Sequence, residues 1–119
     1  MAQAKQLTVF VTLHIKPELI EDFKAAHRPV WNACAAEPQC LFFDVWEDPE
    51  NVGHFRFVEV WNESKEWFEK EQLTKPYYAS MWPKSQATWV VEPKVEYFER
   101  SGEASIYRNA FLDQSKLMD

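Results

Sequence analysis

The chain has 119 residues, a formal net charge of −6, 46% hydrophobic residues and 16% aromatic residues. This length suits one domain with its own core, while an acidic chain without a basic cluster argues against nucleic acid and anionic membrane surfaces as partners. Two glycines exclude a glycine-rich phosphate loop, two cysteines are too few for a disulfide framework or a zinc cluster, and no apolar run reaches the roughly 18 residues that cross a bilayer.

The first two predicted elements are a strand and a long helix. Hydrophobic side chains alternate along residues 7–15, which is typical of a strand with one buried face. Residues 17–37 follow with apolar residues at helical spacing, and Pro17 and the acidic residues after it suit a first helical turn. His27 lies on the apolar stripe of this helix. The chain therefore begins with a β-α unit.

A β-hairpin is predicted over residues 40–61, with turn-forming residues at 48–53 between its two strands. Side chains alternate along the second of these strands, so that one face carries three aromatic rings and a carboxylate. These residues are Phe55, Phe57, Glu59 and Trp61. A carboxylate on an aromatic face is unusual. Glu59 is either paired with a partner inside the protein or faces a pocket that a small molecule can enter.

Three further segments follow the hairpin. Residues 62–73 are predicted to form a one-sided surface helix with Asn62 as its N-cap. Residues 74–86 are interpreted as an irregular loop rich in aromatic residues, which indicates that the loop covers something. Residues 87–99 are predicted to form a fourth strand, in which Pro93 favours an edge position or a bulge.

The predicted order β-α-β-β-α-β defines the fold class as α+β. With both helices on one face of a four-stranded antiparallel sheet, this is the ferredoxin-like split βαβ arrangement. We assign residues 1–99 to this domain and residues 100–119 to a tail that packs on a partner subunit or is partly disordered. The sheet face without helices also carries apolar residues, so we expect a homodimer in which two sheets face each other.

Two short motifs carry a family resemblance. The helix ends in a turn containing Glu37, Pro38 and Cys40, and the third strand closes on Glu59, Val60 and Trp61. With these motifs, residues 7–98 resemble the antibiotic biosynthesis monooxygenase domain family. The resemblance implies a dimeric α/β barrel with a pocket between the sheet and the helices of each subunit.

The same resemblance implies several different activities. Some members of the family oxidise polycyclic phenols to quinones with O₂ and without metal or flavin, others isomerise phosphorylated sugars, and others degrade haem. Many members carry histidines at and after the second helix, where this chain has Gln72 and Tyr77. No histidine follows His54, which argues against haem degradation.

Glu59 and His27 are the candidate catalytic residues. Burial in an apolar pocket is expected to raise the pKa of Glu59 and make it a proton acceptor near neutral pH. A neutral His27 would act as a base or as a hydrogen-bond donor. Two structural interpretations stay open: His27 as an ordinary core residue, and Glu59 as a carboxylate bonded inside the protein. The candidate partners for Glu59 are Tyr77, Tyr78, Arg28 and Arg56.

Aromatic residues are the expected substrate-binding walls, because a slot of rings binds a flat aromatic molecule by offset stacking. The candidates are Trp31, Phe57, Trp61, Trp67, Tyr77, Tyr78 and Trp82. Packing in the core or in a subunit interface is the competing interpretation. No metal site and no cofactor is expected, since the three histidines lie on different elements without paired spacing.

Three functions remain open. The first is a cofactor-independent monooxygenase that oxidises a small, flat phenol or quinol with O₂. The second is an isomerase or lyase that moves a proton on a small carbonyl compound. The third is a dimeric ligand-binding or stress-response module without catalysis. The N-terminal segment has no signal-peptide pattern, and a cytoplasmic location is expected in each case.

Overall fold

The computed structural model describes residues 6–104, which form a four-stranded antiparallel sheet with helices packed on one face. The strands are β1 (Leu7–His14), β2 (Cys40–Glu47), β3 (His54–Trp61) and β4 (Lys94–Glu99). The helices are α1 (Ile20–Ala36), α2 (Lys65–Trp67, continued by a π-helical turn over Phe68–Gln72) and α3 (Pro76–Gln86). The strand order is β2-β3-β1-β4, so the predicted ferredoxin-like α+β fold is confirmed.

The strand alternation seen in the sequence sets the two faces of the sheet. Val9 and Leu13 of β1 are buried under the helices together with Phe55 and Phe57 of β3. Antiparallel pairing places Val9 opposite Glu59. Because side chains alternate with a period of two, this register brings the apolar side chains at alternate positions of both central strands to the same helix-covered face.

The helix α1 closes the buried face. Its buried side chains are Phe23, His27, Val30 and Cys34, which recur every three or four residues. Acidic residues occupy the first turn, where they complement the helix dipole. A short 3₁₀ turn over Pro17–Leu19 precedes the helix, so the predicted segment 17–37 is helical along most of its length.

Two predictions about helices are wrong. Residues 74–86 are not an irregular loop, since α3 occupies Pro76–Gln86 with Pro76 in its first turn and Pro83 inside. The N-cap of α2 is Ser64 and not Asn62, because the Ser64 hydroxyl accepts the backbone N–H of Trp67 at 3.1 Å. Proline at a first helical position is compatible with a helix, and α3 buries three side chains at helical spacing.

The fourth strand is shorter than predicted. It covers Lys94–Glu99, whereas residues 87–93 hold turns and a single bridge between Ile15 and Trp89. Pro93 therefore lies just before the strand and not within it. The edge position that Pro93 favoured is correct, because β4 pairs on one side with β1 and lies at the end of the sheet.

The opposite face of the sheet keeps large apolar side chains at the surface. Trp46 is 50% exposed and Phe98 is 54% exposed, and Phe98 makes an edge contact with Phe10 at 5.6 Å between ring centroids. None of the helices in the described part of the chain is long and apolar enough to span a bilayer. The prediction for the tail falls mostly on residues 105–119, which lie outside the described residues.

Candidate active site

A small cavity of about 120 Å³ lies between the buried face of the sheet and the helices. The sheet contributes Val9, Val11, Phe43, Phe57 and Glu59 to its wall. The helices α1 and α3 contribute His27, Trp31, Cys34, Tyr78, Met81 and Trp82. The lining is therefore almost entirely apolar, with a few side chains that can exchange protons or hydrogen bonds.

Glu59 reaches the cavity from the centre of the sheet. It lies on β3 opposite Val9 of β1 and Phe43 of β2, and it is only 6% exposed. The indole N–H of Trp61 donates to its Oε1 at 3.0 Å. Burial raises the pKa of Glu59 from its ordinary 4.5 to about 7, and the bond from Trp61 acts in the opposite direction. This carboxyl group therefore changes its charge near neutral pH.

The hydrogen-bond partners that the sequence offered for Glu59 are wrong. Tyr77 and Tyr78 direct their hydroxyl groups to other side chains. Arg28 lies 4.0 Å from a carboxylate of its own helix, and Arg56 donates to a threonine hydroxyl of β1 at 3.2 Å. Among the described residues, Trp61 is the donor that contacts Glu59. The carboxyl group therefore has a hydrogen-bond partner inside the protein and also lines the cavity.

His27 also lines the cavity, and its ring is fixed by a buried serine. Its Nε2 lies 2.7 Å from Oγ of Ser85, which is 0% exposed and also accepts the indole N–H of Trp89 at 2.9 Å. If the serine accepted both bonds, its own buried proton would be unpaired; it therefore donates that proton to Nε2 and leaves the ring N–H on Nδ1. Burial lowers the pKa of His27 to about 4, which keeps the ring neutral at pH 7.

Tyr78 brings a hydroxyl group to the helical side of the cavity. This hydroxyl accepts the amide N–H of Gln72 at 2.9 Å and lies 3.1 Å from Sγ of Cys34. Burial raises the pKa of Tyr78 well above its usual range and that of Cys34 to about 11. Both groups are therefore protonated at neutral pH. Either group can be the donor in the contact between the Tyr78 hydroxyl and the Cys34 thiol.

Tyr77 lies outside the cavity wall and supports it from behind. Its hydroxyl donates to Glu37 at 2.7 Å and accepts an N–H of Gln72 at 2.6 Å, and Glu37 forms an ion pair with Lys75 at 2.7 Å. Gln72 itself is fully buried in the π-helical turn. This chain of contacts holds the amide that orients Tyr78.

Six of the nine predicted site residues line the cavity. They are His27, Trp31, Phe57, Glu59, Tyr78 and Trp82. Trp61, Trp67 and Tyr77 lie outside the wall of this cavity. The ring of Trp61 packs between Trp67 and Phe68, with centroid distances of 6.1 and 5.3 Å. The indole N–H of Trp61 nevertheless donates to Glu59, so Trp61 contacts the site through this hydrogen bond.

Sequence reasoning missed several wall residues, and strand alternation contained a signal for two of them. Phe43 pairs with Glu59 across neighbouring strands and shares its face, and Tyr97 pairs with Val9 in the same way. Cys34 of α1 and Met81 of α3 also line the cavity, and the prediction of a loop over residues 74–86 concealed the helical position of Met81. No group of three or more His, Cys, Asp or Glu within residues 6–104 is arranged to hold a metal ion.

Comparison with known proteins places the chain in a family. The family model of the antibiotic biosynthesis monooxygenases matches residues 6–72, which is more than half of the chain. The chain therefore belongs to the antibiotic biosynthesis monooxygenase family. It is 32% identical over 72 residues to the protein named "Putative monooxygenase GME11364" from Pestalotiopsis microspora, and this match covers 60% of each protein.

Solved structures agree with the fold at low sequence identity. A crystal structure of an antibiotic biosynthesis monooxygenase superposes with a TM-score of 0.71 at 24% identity, and the match covers 79% of this chain and 97% of that one. Rv0793 from Mycobacterium tuberculosis gives a TM-score of 0.72 at 18% identity, with 84% and 99% of the two chains covered. At these identities the likeness concerns the fold.

Proposed function

We propose that the protein is a cofactor-independent monooxygenase that oxidises a small, flat phenol or quinol with O₂. The observation that carries this proposal is a buried carboxyl group with a pKa of about 7 in the wall of an apolar cavity. A general base works best when its pKa lies near the operating pH. Membership of the monooxygenase family supports the same class of reaction.

In the proposed reaction, Glu59 accepts the phenolic proton. The resulting phenolate is electron-rich and donates an electron to O₂ inside a cavity whose lining is almost entirely apolar. One oxygen atom joins the ring carbon para to the hydroxyl group and the other leaves as water, so a phenol and O₂ give a quinone and water. The substrate supplies all four electrons, and no external reductant is needed.

Two further side chains are proposed to orient the substrate. The hydroxyl of Tyr78 donates to a substrate oxygen, because Gln72 already occupies it as an acceptor. His27 donates through Nδ1 and does not serve as the base, since its Nε2 is occupied by Ser85 and its pKa is about 4. Trp31, Phe57 and Trp82 are proposed as aromatic walls.

Oxygen uptake by the metal-stripped protein tests this function. The panel covers phenols and hydroquinones of one to three rings, and the variants are Glu59→Gln and, as a matched control, the exposed Glu69→Gln. We expect the rate of the wild type to rise with pH through about 7, as Glu59 loses its proton. Glu59→Gln should lower the rate at least about tenfold, which is roughly 1.4 kcal/mol of barrier.

The alternatives give different results in the same assay. An isomerase or lyase using Glu59 would transform a carbonyl compound without consuming O₂, and a binding module would show ligand affinity without turnover. The cavity wall holds no Arg or Lys among the described residues that line it. A phosphorylated substrate would need such a cation, so a neutral aromatic ligand fits the site better.

We infer that the assembled protein is a homodimer whose sheets face each other through the exposed apolar face. Trp46 and Phe98 contribute exposed rings to that face, and a patch of this kind on a sheet is typical of an interface.

The domain boundary near residue 99 and the cytoplasmic location stay predictions. Limited proteolysis would test the boundary, and cell fractionation would test the location.

A further inference from the structure

The size of the cavity restricts the substrate of the proposed reaction. At about 120 Å³, it is smaller than the roughly 300 Å³ at which pockets for drug-sized ligands begin. An engineered apolar cavity of about 150 Å³ in another protein stays dry and binds benzene. The volume beside Glu59 therefore corresponds to one aromatic ring and not to two or three fused rings.

Phe43 limits the cavity directly beside the reactive carboxyl group. Its Cα is the cross-strand partner of Glu59, and the two side chains share the buried face of the sheet. Directly opposite side chains in an antiparallel pair have Cβ atoms about 5 Å apart. The Phe43 ring lies 6.4 Å from Phe57, which is 5.4 Å from Trp31, measured between centroids. This row of rings occupies the space that further fused rings would need.

We propose that the site takes a single-ring phenol and that Phe43 is the residue that sets this limit. This inference rests on the proposed function for the nature of the ligand, and it adds the ring number and the residue that determines it. The phenol hydroxyl lies at Glu59 and the ring lies against Phe43 and Phe57. A single ring fills the cavity; a three-ring phenol requires Phe43 to leave its position.

Calorimetric binding under nitrogen tests the proposal, because no oxidation occurs there. The ligands are phenol, 2-naphthol and 9-phenanthrol, and the proteins are the wild type, Phe43→Ala and Phe42→Ala. Phe42 lies on the same strand but faces the opposite side of the sheet, opposite Val60. It is therefore the matched control for the loss of one phenyl ring.

We expect wild-type affinity to fall at least tenfold from phenol to 9-phenanthrol. The apolar area increases along this series and would by itself raise affinity, so a fall identifies steric exclusion. Phe43→Ala should reverse the order, and Phe42→Ala should keep the wild-type order. Phe43→Leu, which removes less packing, provides the same comparison where Phe43→Ala fails to fold.

Equal or tighter binding of 9-phenanthrol by the wild type would overturn the proposal. An unchanged ligand order in Phe43→Ala would overturn the role of Phe43. Failure of the proposed function is a separate result: phenol would bind in the predicted order, but aerobic samples would consume no O₂. Conversely, O₂ uptake that is greatest with three-ring substrates would support the proposed oxygenase function and overturn the proposed limit on substrate size.

Discussion

At the scale of single residues, two buried groups have pKa values displaced in opposite directions by the same cause. Burial disfavours the charged form of each, which raises the pKa of Glu59 to about 7 and lowers that of His27 to about 4. The site therefore contains a proton acceptor and a neutral imidazole at the same pH. Burial in an apolar cavity accounts for both displacements.

The raised pKa of Glu59 has a measurable effect on stability. Between pH 4.5 and 7 the folded carboxyl group keeps a proton that the unfolded chain has released, so stability falls as pH rises through this range. His27 acts oppositely between pH 4 and 6.5, because the unfolded chain binds the proton there. The two slopes largely cancel in the wild type up to about pH 6.5.

We predict that Glu59→Gln becomes more stable relative to the wild type as pH rises from 4.5 to 7.5. The amide oxygen still accepts the N–H of Trp61, while the ionisation penalty is removed. The gain corresponds to the displaced pKa and is on the order of 3 kcal/mol. Urea unfolding of both proteins at several pH values measures it. A constant difference between the two proteins would contradict the buried, titrating carboxyl group.

We predict that Ser85→Ala destabilises the protein by about 1–3 kcal/mol. Ser85 forms hydrogen bonds with both His27 and Trp89, and its loss leaves one buried and one part-buried ring nitrogen without this partner. Ser80 lies on the same helix but is exposed, so Ser80→Ala should change the free energy of unfolding by less than about 0.5 kcal/mol. Equal effects of the two substitutions, measured by urea unfolding, would refute the buried network.

At the scale of secondary structure, the hairpin between β2 and β3 depends on one glycine. Gly53 has φ of +90°, and its carbonyl accepts the backbone N–H of Ile15 at 2.7 Å. A Cβ atom at this position would lie 2.2 Å from the carbonyl oxygen of Ile15. The turn therefore needs glycine for its backbone conformation and for its close approach to the chain after β1.

We predict that Gly53→Ala destabilises the protein more than Gly102→Ala. Both glycines have positive φ, which is strained for alanine by about 1–3 kcal/mol. Only Gly53 adds a backbone clash, since a Cβ at Gly102 meets nothing within 4 Å. Thermal and urea unfolding of both variants gives the comparison. Similar stability of the two variants would show that the chain near Ile15 moves away easily.

The sequence predicted the strands of the central sheet well because alternation is a strong local signal. The bounds of β2 and β3 were correct, and so was the placement of Glu59 on a buried aromatic face. Because side chains alternate strictly along a strand, three aromatic rings at alternate positions of β3 identify its buried face, and Glu59 lies on that face. The cavity itself is set by tertiary packing, and only part of its wall could be read from one strand.

The errors have local causes. Pro76 and Pro83 led to the prediction of a loop where the structure has the helix α3, although proline is compatible with the first helical turn, where Pro76 lies. Trp61 shares the face of Glu59, but its large ring lies under Trp67 and Phe68 and fills core space. Tyr78 lines the cavity and its neighbour Tyr77 does not, since helical geometry turns neighbouring side chains by about 100°.

At the scale of the whole molecule, the sheet is apolar on both faces but is covered by helices on one. The covered face encloses the cavity, and the exposed face carries Phe10, Phe98 and Trp46. A sheet in water normally presents polar side chains on its open face. The two-sided apolar pattern that supplies the walls of the cavity therefore also leaves large rings exposed on the other side.

We predict that Phe98→Asp converts a dimer into a monomer. A carboxylate at a desolvated interface is unfavourable without a partner, and Phe98 is 54% exposed on the open face of the sheet. Val90 is similarly exposed but lies outside the strands, so Val90→Asp should remain dimeric. Light scattering coupled to size-exclusion chromatography measures the mass of each protein. A monomeric wild type, or a dimeric Phe98→Asp, would contradict a dimer that forms through this face.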